Sequence, residues 1–381
     1  MNTETGDQRN LRNLLTCTHE CQQYTQQMWQ AGRRSFLQLM AGAALSGSAL
    51  DALLQTSNSR TRVAAANQAV ATLRLGLISD LNGSYGSTSY GGTVKRGVNL
   101  LVQQQPDLVL CAGDMVAGQK RSLTNLQLQA MWAGFEQSVR VPLQQAGIPL
   151  LPAIGNHDGS SQQQQGEWIY ERERQQAARF WEQHRADLPS ELIDMDRFPF
   201  QYVWRRPGLF VVVIDASSAT VDSSQRQWIE TALNSVHRSP DDLCLVMGHL
   251  PLTAFSEGRA RPGECITDPG GLAALLRRAR VDLVISGHHH AWYPSESMGL
   301  RLLSLGAMGS GPRRILGSAA IGSPSLTILE WFEHRNLVRE ISFDLNTLQP
   351  LSSDSLPAKV NVSGFAQARR RVTQWRRGPL N

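Results

Sequence analysis

Apolar and polar positions along this chain follow two alternating periods. Residues 73–80, L-R-L-G-L-I-S-D, form a short apolar run closed by an acid, the pattern of a buried strand. Val94, Val98, Leu101 and Val102 then share one face of a helical period over 93–105. The alternation continues with strands over 107–114 and 148–156, a helix over 123–145 and a charged helix over 167–181. The runs 200–204 and 208–216 predict a hairpin turning at Arg206-Pro207-Gly208. A helix over 223–233, with Ser224 as its N-cap, precedes strands at 242–249 and 281–288 that flank a helix over 269–280. Three late runs, 300–306, 324–333 and 337–345, read as strands with no helix between them. The body is therefore an α/β fold with mixed sheet content. In such folds a site forms just beyond the carboxyl ends of strands.

The strand ends carry the chemistry. In chain order they read Asp80, Gly113-Asp114, Gly155-Asn156-His157-Asp158, Gly248-His249 and Gly287-His288-His289-His290. Five of the nine histidines lie in these motifs, a concentration that core packing does not need. Glycine permits a sharp turn and close approach of backbone to a ligand. Asp, Asn and His together offer mixed oxygen and nitrogen donors, suited to zinc, iron or manganese, and the lack of cysteine among them excludes a thiolate site.

In these motifs the chain resembles the calcineurin-like metallophosphoesterases, whose signature runs D-x-H, G-D, G-N-H-D/E, G-H and G-H-x-H. The resemblance covers residues 74–345 and agrees in order, spacing and strand context. It implies a four-layer α/β/β/α sandwich of two mixed sheets with two divalent or trivalent ions (Mn, Fe or Zn) at one edge. It also implies roles. Asp114 would bridge the ions, Asp80 and His290 would hold the first, and Asn156, His249 and His288 the second. His157 would donate a proton to the leaving oxygen, steadied by Asp158, while His289 would point away. Two ions about 3.5–4 Å apart would activate a bridging water and clamp the phosphoryl oxygens of an in-line displacement. The implied activity is hydrolysis of phosphomonoesters or phosphodiesters of small molecules.

The chain departs from the signature at Asn82, where the family places His. Its neutral amide oxygen could ligate weakly, leaving the first site weak, or could bind only phosphate while Tyr85 or Tyr90 completes the shell. On Asn82 rests the alternative of a non-catalytic metal- or phosphate-binding protein. Other branches of the family fit less well. The text G-D-M-V-A-G lacks the G-D-x-x-D-R-G of protein Ser/Thr phosphatases, and Ala117 stands where purple acid phosphatases carry Tyr. Large 5′-nucleotidases have a second C-terminal domain, and 36 residues follow position 345. The charged helix over 166–187 and the segment 253–270 are expected to wall the pocket.

Composition refines this picture. Apolar residues at 41% and charged residues at 18% suit a globular core. The net charge of +5 owes much to Arg369, Arg370, Arg371, Arg376 and Arg377, read as a solvated basic tail over 348–381 with no nucleic-acid partner. Cys111 and Cys244 lie in apolar runs as small core residues. Residues 1–66 read as a leader: Arg33-Arg34-Ser35-Phe36-Leu37 precedes a short apolar stretch, as in twin-arginine signals, and Ala64-Ala65-Ala66 offers a cleavage site. Together these place the mature domain, 67–347, outside the cytoplasm, delivered by the twin-arginine machinery. No apolar run reaches the length of a membrane span.

Overall fold

Strand β1 (Leu73–Ile78) alternates its side chains between two apolar layers, and that alternation organises the domain. Leu73, Leu75 and Leu77 enter one cluster while Ile78 enters another. The computed structural model describes residues 71–189, 191–319, 321–378 and 380. The leader and its Arg33-Arg34 pair lie outside the described residues.

In chain order β1 is followed by α1 (Gly92–Gln104), β2 (Leu108–Cys111), α2 (Asn125–Phe135), α3 (Val141–Gln145) and β3 (Leu150–Pro152). The short helix α4 (Asn156–Gly159), a small hairpin of β4 (Gln163–Gln164) and β5 (Glu167–Trp168), and α5 (Glu171–Gln183) come next. Then follow β6 (Leu192–Arg197), β7 (Gln201–Arg206), β8 (Leu209–Val213), α6 (Ser223–Leu233), β9 (Leu243–Met247), α7 (Pro269–Arg278) and β10 (Leu283–Ser286). The chain closes with β11 (Tyr293–Ser297), β12 (Leu300–Ser304), β13 (Ser325–Phe332), β14 (Leu337–Asp344), β15 (Lys359–Val360), β16 (Ala368–Arg370) and β17 (Gln374–Arg376).

The strands form a six-stranded sheet, β17-β14-β13-β1-β2-β3, and a nine-stranded sheet, β15-β16-β11-β12-β10-β9-β8-β7-β6. Both are mixed: β1 pairs parallel with β2 and antiparallel with β13. Three apolar layers hold them. Leu75, Leu77 and Leu110 of the first sheet meet Val211, Leu245 and Leu283 of the second in a central layer. On the outer face of the first sheet, Val109 and Cys111 pack with residues of α1, α2 and α5. Phe210, Val212, Cys244 and Val246 pack with α6 and α7 on the outer face of the second. Two sheets between two helical layers make the four-layer sandwich that the resemblance implies.

Three expectations are corrected. The predicted 123–145 helix is interrupted, since a π-helical turn at Glu136–Arg140 separates α2 from α3. The N-cap of α6 is Asp222, whose side chain accepts from Gln225 N, while Ser224 donates to Asp222 at 2.9 Å. The basic segment after 348 is no solvated end: β16 pairs with β11 and β17 with β14. Two of its arginines take carboxylate partners within the fold, Arg371 buried on Glu340 at 2.7 Å and Arg377 on Asp282 at 3.1 Å, while Arg369 and Arg376 stay exposed. Arg371 thus neutralises a carboxylate that the sheet has already buried.

Candidate metal centre

All five motif-bearing strand ends meet at one edge of the sandwich. β1, β2 and β3 of the first sheet bring Asp80, Asp114, Asn156 and His157, while β9 and β10 of the second bring His249, His288 and His290. Asp80, Asp114, His288 and His290 stand at φ of 55°, 57°, 65° and 51°, the left-handed region disfavoured for side-chain-bearing residues by roughly 1–2 kcal/mol each. Four such residues in one site are strain held by the surrounding fold. Gly155 is required by crowding, because a Cβ there would lie 2.2 Å from Asp114 Oδ1. The loops are tied together by Asp80 N to Gly113 O at 3.0 Å, Leu81 N to Asp114 O at 2.8 Å and Gly287 N to His249 O at 3.0 Å.

Hydrogen bonds fix which ring nitrogens carry lone pairs. His249 Nδ1 lies 2.7 Å from the Ala112 carbonyl, which can only accept, so this nitrogen carries the proton in the neutral ring. Its Nε2 then presents a lone pair 2.9 Å from Asn156 Oδ1 and 3.3 Å from Asp114 Oδ2. Three acceptors converge there, and a cation satisfies them. The tendency shows in the imidazole itself: burial disfavours its charge, yet the Asp114 carboxylate raises the His249 pKa to about 9. His290 repeats the pattern, with Nδ1 2.9 Å from the Gly311 carbonyl and Nε2 3.2 Å from Asp80 Oδ1.

His288 is oriented by a residue that the sequence did not single out. Its Nε2 lies 2.8 Å from Glu264 Oε2 and 3.2 Å from Arg259 Nη1. Donation from Arg259 would require a bare Nε2 and a proton on Nδ1, which is buried without a hydrogen-bond partner. Donation from Nε2 to Glu264 instead leaves Nδ1 as an acceptor. Glu264 therefore selects the tautomer, as carboxylates behind metal-binding histidines do. Burial lowers the His288 pKa to about 4 against the pull of Glu264, which keeps the ring neutral. Burial also opposes ionisation of Glu264, but bonds from His288, Arg259 and Arg261 outweigh it and hold its carboxyl well below the usual range.

These observations test whether metal suits the site, and it does. Donor atoms of Asp114, His249 and His288 lie within 4.8 Å of one another, all three residues buried. Asp80 Oδ1 and His288 Nδ1 are buried and without hydrogen-bond partners. The Asp80–His290 pair forms a second, smaller group beside the first. Asn82 lies there too, but its Oδ1 accepts a short hydrogen bond from Ser310, whose hydroxyl also lies 3.2 Å from the Asp80 carbonyl. Ser310 follows β12 in a segment without a motif, so no sequence signal marked it. Tyr90 does not complete this group, because its hydroxyl is committed to the Met115 carbonyl at 2.6 Å.

His157 sits over the centre, half-buried, with its backbone N donating to Asp114 Oδ1 at 2.9 Å and its Nε2 3.9 Å from Asp114 Oδ2. The ring is steadied by the Gly118 carbonyl, 3.1 Å from Nδ1, rather than by Asp158. Asp158 instead accepts from the backbone N of Asp114, Val116 and Gly155 at 2.8, 2.9 and 2.9 Å. Its carboxylate braces the turn that aims Asp114, a positioning role in place of the one implied. His289 packs away from the centre as expected, with Nδ1 accepting from Phe255 N at 3.0 Å.

A groove of about 1300 Å³ opens from the centre, lined by His288, Asn156, Tyr85, Trp168, Arg259 and Ser218 among others. The segments expected to wall it do so, α5 and its preceding hairpin through Arg174 and Trp168, and the 253–270 segment through Arg259, Arg261 and Glu264.

Comparison with known proteins gives the arrangement a context. The family model for calcineurin-like phosphoesterases matches residues 73–292. Purple acid phosphatase 22 of Arabidopsis thaliana is 35% identical over 71 residues, 19% of this chain and 16% of that protein. Probable purple acid phosphatase 20 of the same plant is 33% identical over 70 residues, with 18% and 16% covered. The chain thus spans about a sixth of the length of these curated relatives. The solved structure of PhoD is similar at a TM-score of 0.50 and 11% identity, covering 77% of this chain and 73% of that one. A dimetal phosphatase from Danio rerio gives 0.45 and 14%, covering 72% and 96%. At such identities the likeness concerns the fold alone.

Proposed function

Because the chain belongs to the calcineurin-like phosphoesterase family, we propose that it hydrolyses phosphomonoesters or phosphodiesters of small molecules in a metal-dependent reaction at this centre. The observation that carries the reading is the convergence of the His249 lone pair, Asn156 Oδ1 and Asp114 Oδ2 beside the unpartnered Nδ1 of His288. Asp114, Asn156, His249 and His288 would hold one ion, and Asp80, His290 and Asp114 the other, with manganese, iron or zinc suited to these donors. Bound ions supply charge neutralisation for the phosphoryl group and lower the pKa of water. The chain's own residues do the rest. Asp114, held at two points by Asp158 and His157, fixes the ligand set in place before substrate arrives. His157 keeps one N–H on the Gly118 carbonyl and turns Nε2 toward the centre, so its protonated form can deliver a proton to a leaving alkoxide. Asn82, its carbonyl held by Ser310, lines the first site and makes it the weaker of the two.

The test is a screen of phosphomonoesters, phosphodiesters and cyclic nucleotides against protein loaded with manganese or zinc. Hydrolysis that chelation abolishes and metal restores supports the reading. Metal uptake with no turnover on any ester favours a binding protein instead, the reading to which Asn82 lends itself. Export by the twin-arginine route is proposed from the sequence alone, from Arg33, Arg34, Phe36 and Leu37, the short apolar stretch after them and the Ala64-Ala65-Ala66 cleavage site. Changing both arginines to Lys should trap an uncleaved precursor, and unchanged export would refute the route.

A further inference from the structure

The groove beside the metal centre has a composition that names its occupant. Tyr85 is 57% exposed, and its ring lies 5.2 Å from the His157 ring at 32°. His157 faces the leaving oxygen in the proposed reaction, so Tyr85 stands where the alcohol part of a substrate emerges. Farther along, Trp168 is 39% exposed on the β4–β5 hairpin and lines the same groove. This tryptophan is braced by Arg174, which also lines the groove. The Arg174 guanidinium lies 4.4 Å from the Trp168 ring and 3.8 Å from that of Phe200, and pairs with Asp215 at 2.8 Å. Arginine stacked on both sides and salt-bridged holds the ring without offering its charge to a ligand.

Two of the other groove arginines are similarly committed. Arg259 and Arg261 both bind Glu264. Arg197 is exposed, and its charge helps to hold the Asp222 carboxyl below its usual range after the hydrogen bonds from Gln225 and Ser224. Four arginines line the groove and four carboxylates accompany them, Asp196, Asp215, Asp222 and Glu264. A chain of further phosphates would meet no net positive charge beyond the metal centre. Hydroxyls also line the groove, with Ser161 Oγ and Ser218 Oγ 2.7 Å apart.

We infer that the substrate carries a single phosphoryl group esterified to an alcohol bearing a flat, uncharged ring, such as an aryl or nucleoside group, which stacks on Tyr85 and extends toward Trp168. The inference rests on the proposed phosphoesterase reading and adds to it the class of leaving group. Stacking on an exposed aromatic ring is strong enough to move binding by about tenfold.

Benzyl phosphate and cyclohexylmethyl phosphate test this directly, since both release a primary alcohol and differ chiefly in ring flatness. The metal-loaded protein should show a KM about tenfold lower for the benzyl ester at similar kcat. Tyr85→Leu should erase that difference while Tyr85→Phe retains it, and Trp168→Leu should narrow the preference for a nucleoside monophosphate over ribose 5-phosphate. A nucleoside diphosphate should bind no better than the monophosphate. Equal kinetics for the flat and puckered rings, or a preference that survives Tyr85→Leu, would overturn the inference and leave the phosphoesterase reading standing. Failure to hydrolyse any of these esters would remove both.

Discussion

His157 shows how much one residue's neighbours decide. Its Nδ1 is held by the Gly118 carbonyl and its Nε2 faces the centre. His157→Ala should retain metal while losing roughly 10²–10⁴-fold in turnover of esters with poor leaving groups. For aryl esters with acidic leaving groups the loss should be much smaller, because such groups depart without a proton. Comparing the two losses separates proton donation from simple binding; equal losses would contradict the role. Glu264 provides the matching case in the ligand set. It holds His288 in the tautomer whose Nδ1 is free, so Glu264→Ala should weaken metal retention by about 10–100-fold. Glu264→Gln keeps an acceptor for Nε2–H and should keep most of the metal. Metal content after dialysis, read by mass spectrometry, distinguishes them, and equal retention in both variants would show that His288 needs no such partner.

At the level of elements, the turn after β2 depends on Asp158. Its carboxylate accepts three backbone N–H groups, from Asp114, Val116 and Gly155, and is pushed up to about 7 by burial and by the charge of Asp114. Asp158→Ala would strand buried donors costing about 1–3 kcal/mol each, so a loss of at least about 3 kcal/mol and a clear fall in melting temperature should follow. An unchanged melting temperature would mean that water replaces the carboxylate. The elements also show what was legible in the sequence. Period-2 runs such as Leu73-Leu75-Leu77 announce buried strands, and each strand-end motif could be placed because a polar group after an apolar run has few other reasons to be there. Glu264 and Ser310 were not legible. Each acts by reaching from a loop to a residue far away in sequence, and nothing in the local text distinguishes such a residue from ordinary loop polarity. Strands β15 to β17 are hidden for a related reason: they are two or three residues long, too short to show a period, and each carries a basic residue. Glu340, which takes Trp375 of β17, and Asp282, which takes the adjacent Arg377, become partners only once the sheets are assembled.

For the whole molecule, the C-terminal segment locks the two sheets from both sides, β16 on the larger and β17 on the smaller. Arg371 is the buried fastening, bonded to Glu340, which also accepts from Trp375 Nε1 at 2.8 Å. Arg371→Met leaves that carboxylate short of its countercharge and should cost about 3–5 kcal/mol, much of it recovered in the double variant with Glu340→Leu. Chemical denaturation of the single and double variants reads this, and additive losses would show that the pair is not coupled. Both sheets meet at one edge around Asp114, the group proposed to be shared by both metal positions. The most direct test of this reading is metal content and ester hydrolysis measured side by side for the unaltered protein and Asp114→Asn, after chelation and reloading with manganese. The unaltered protein should regain metal and activity together, whereas Asp114→Asn, folded as judged by its circular dichroism, should regain neither. Full activity in the metal-free protein, or in Asp114→Asn, would contradict it.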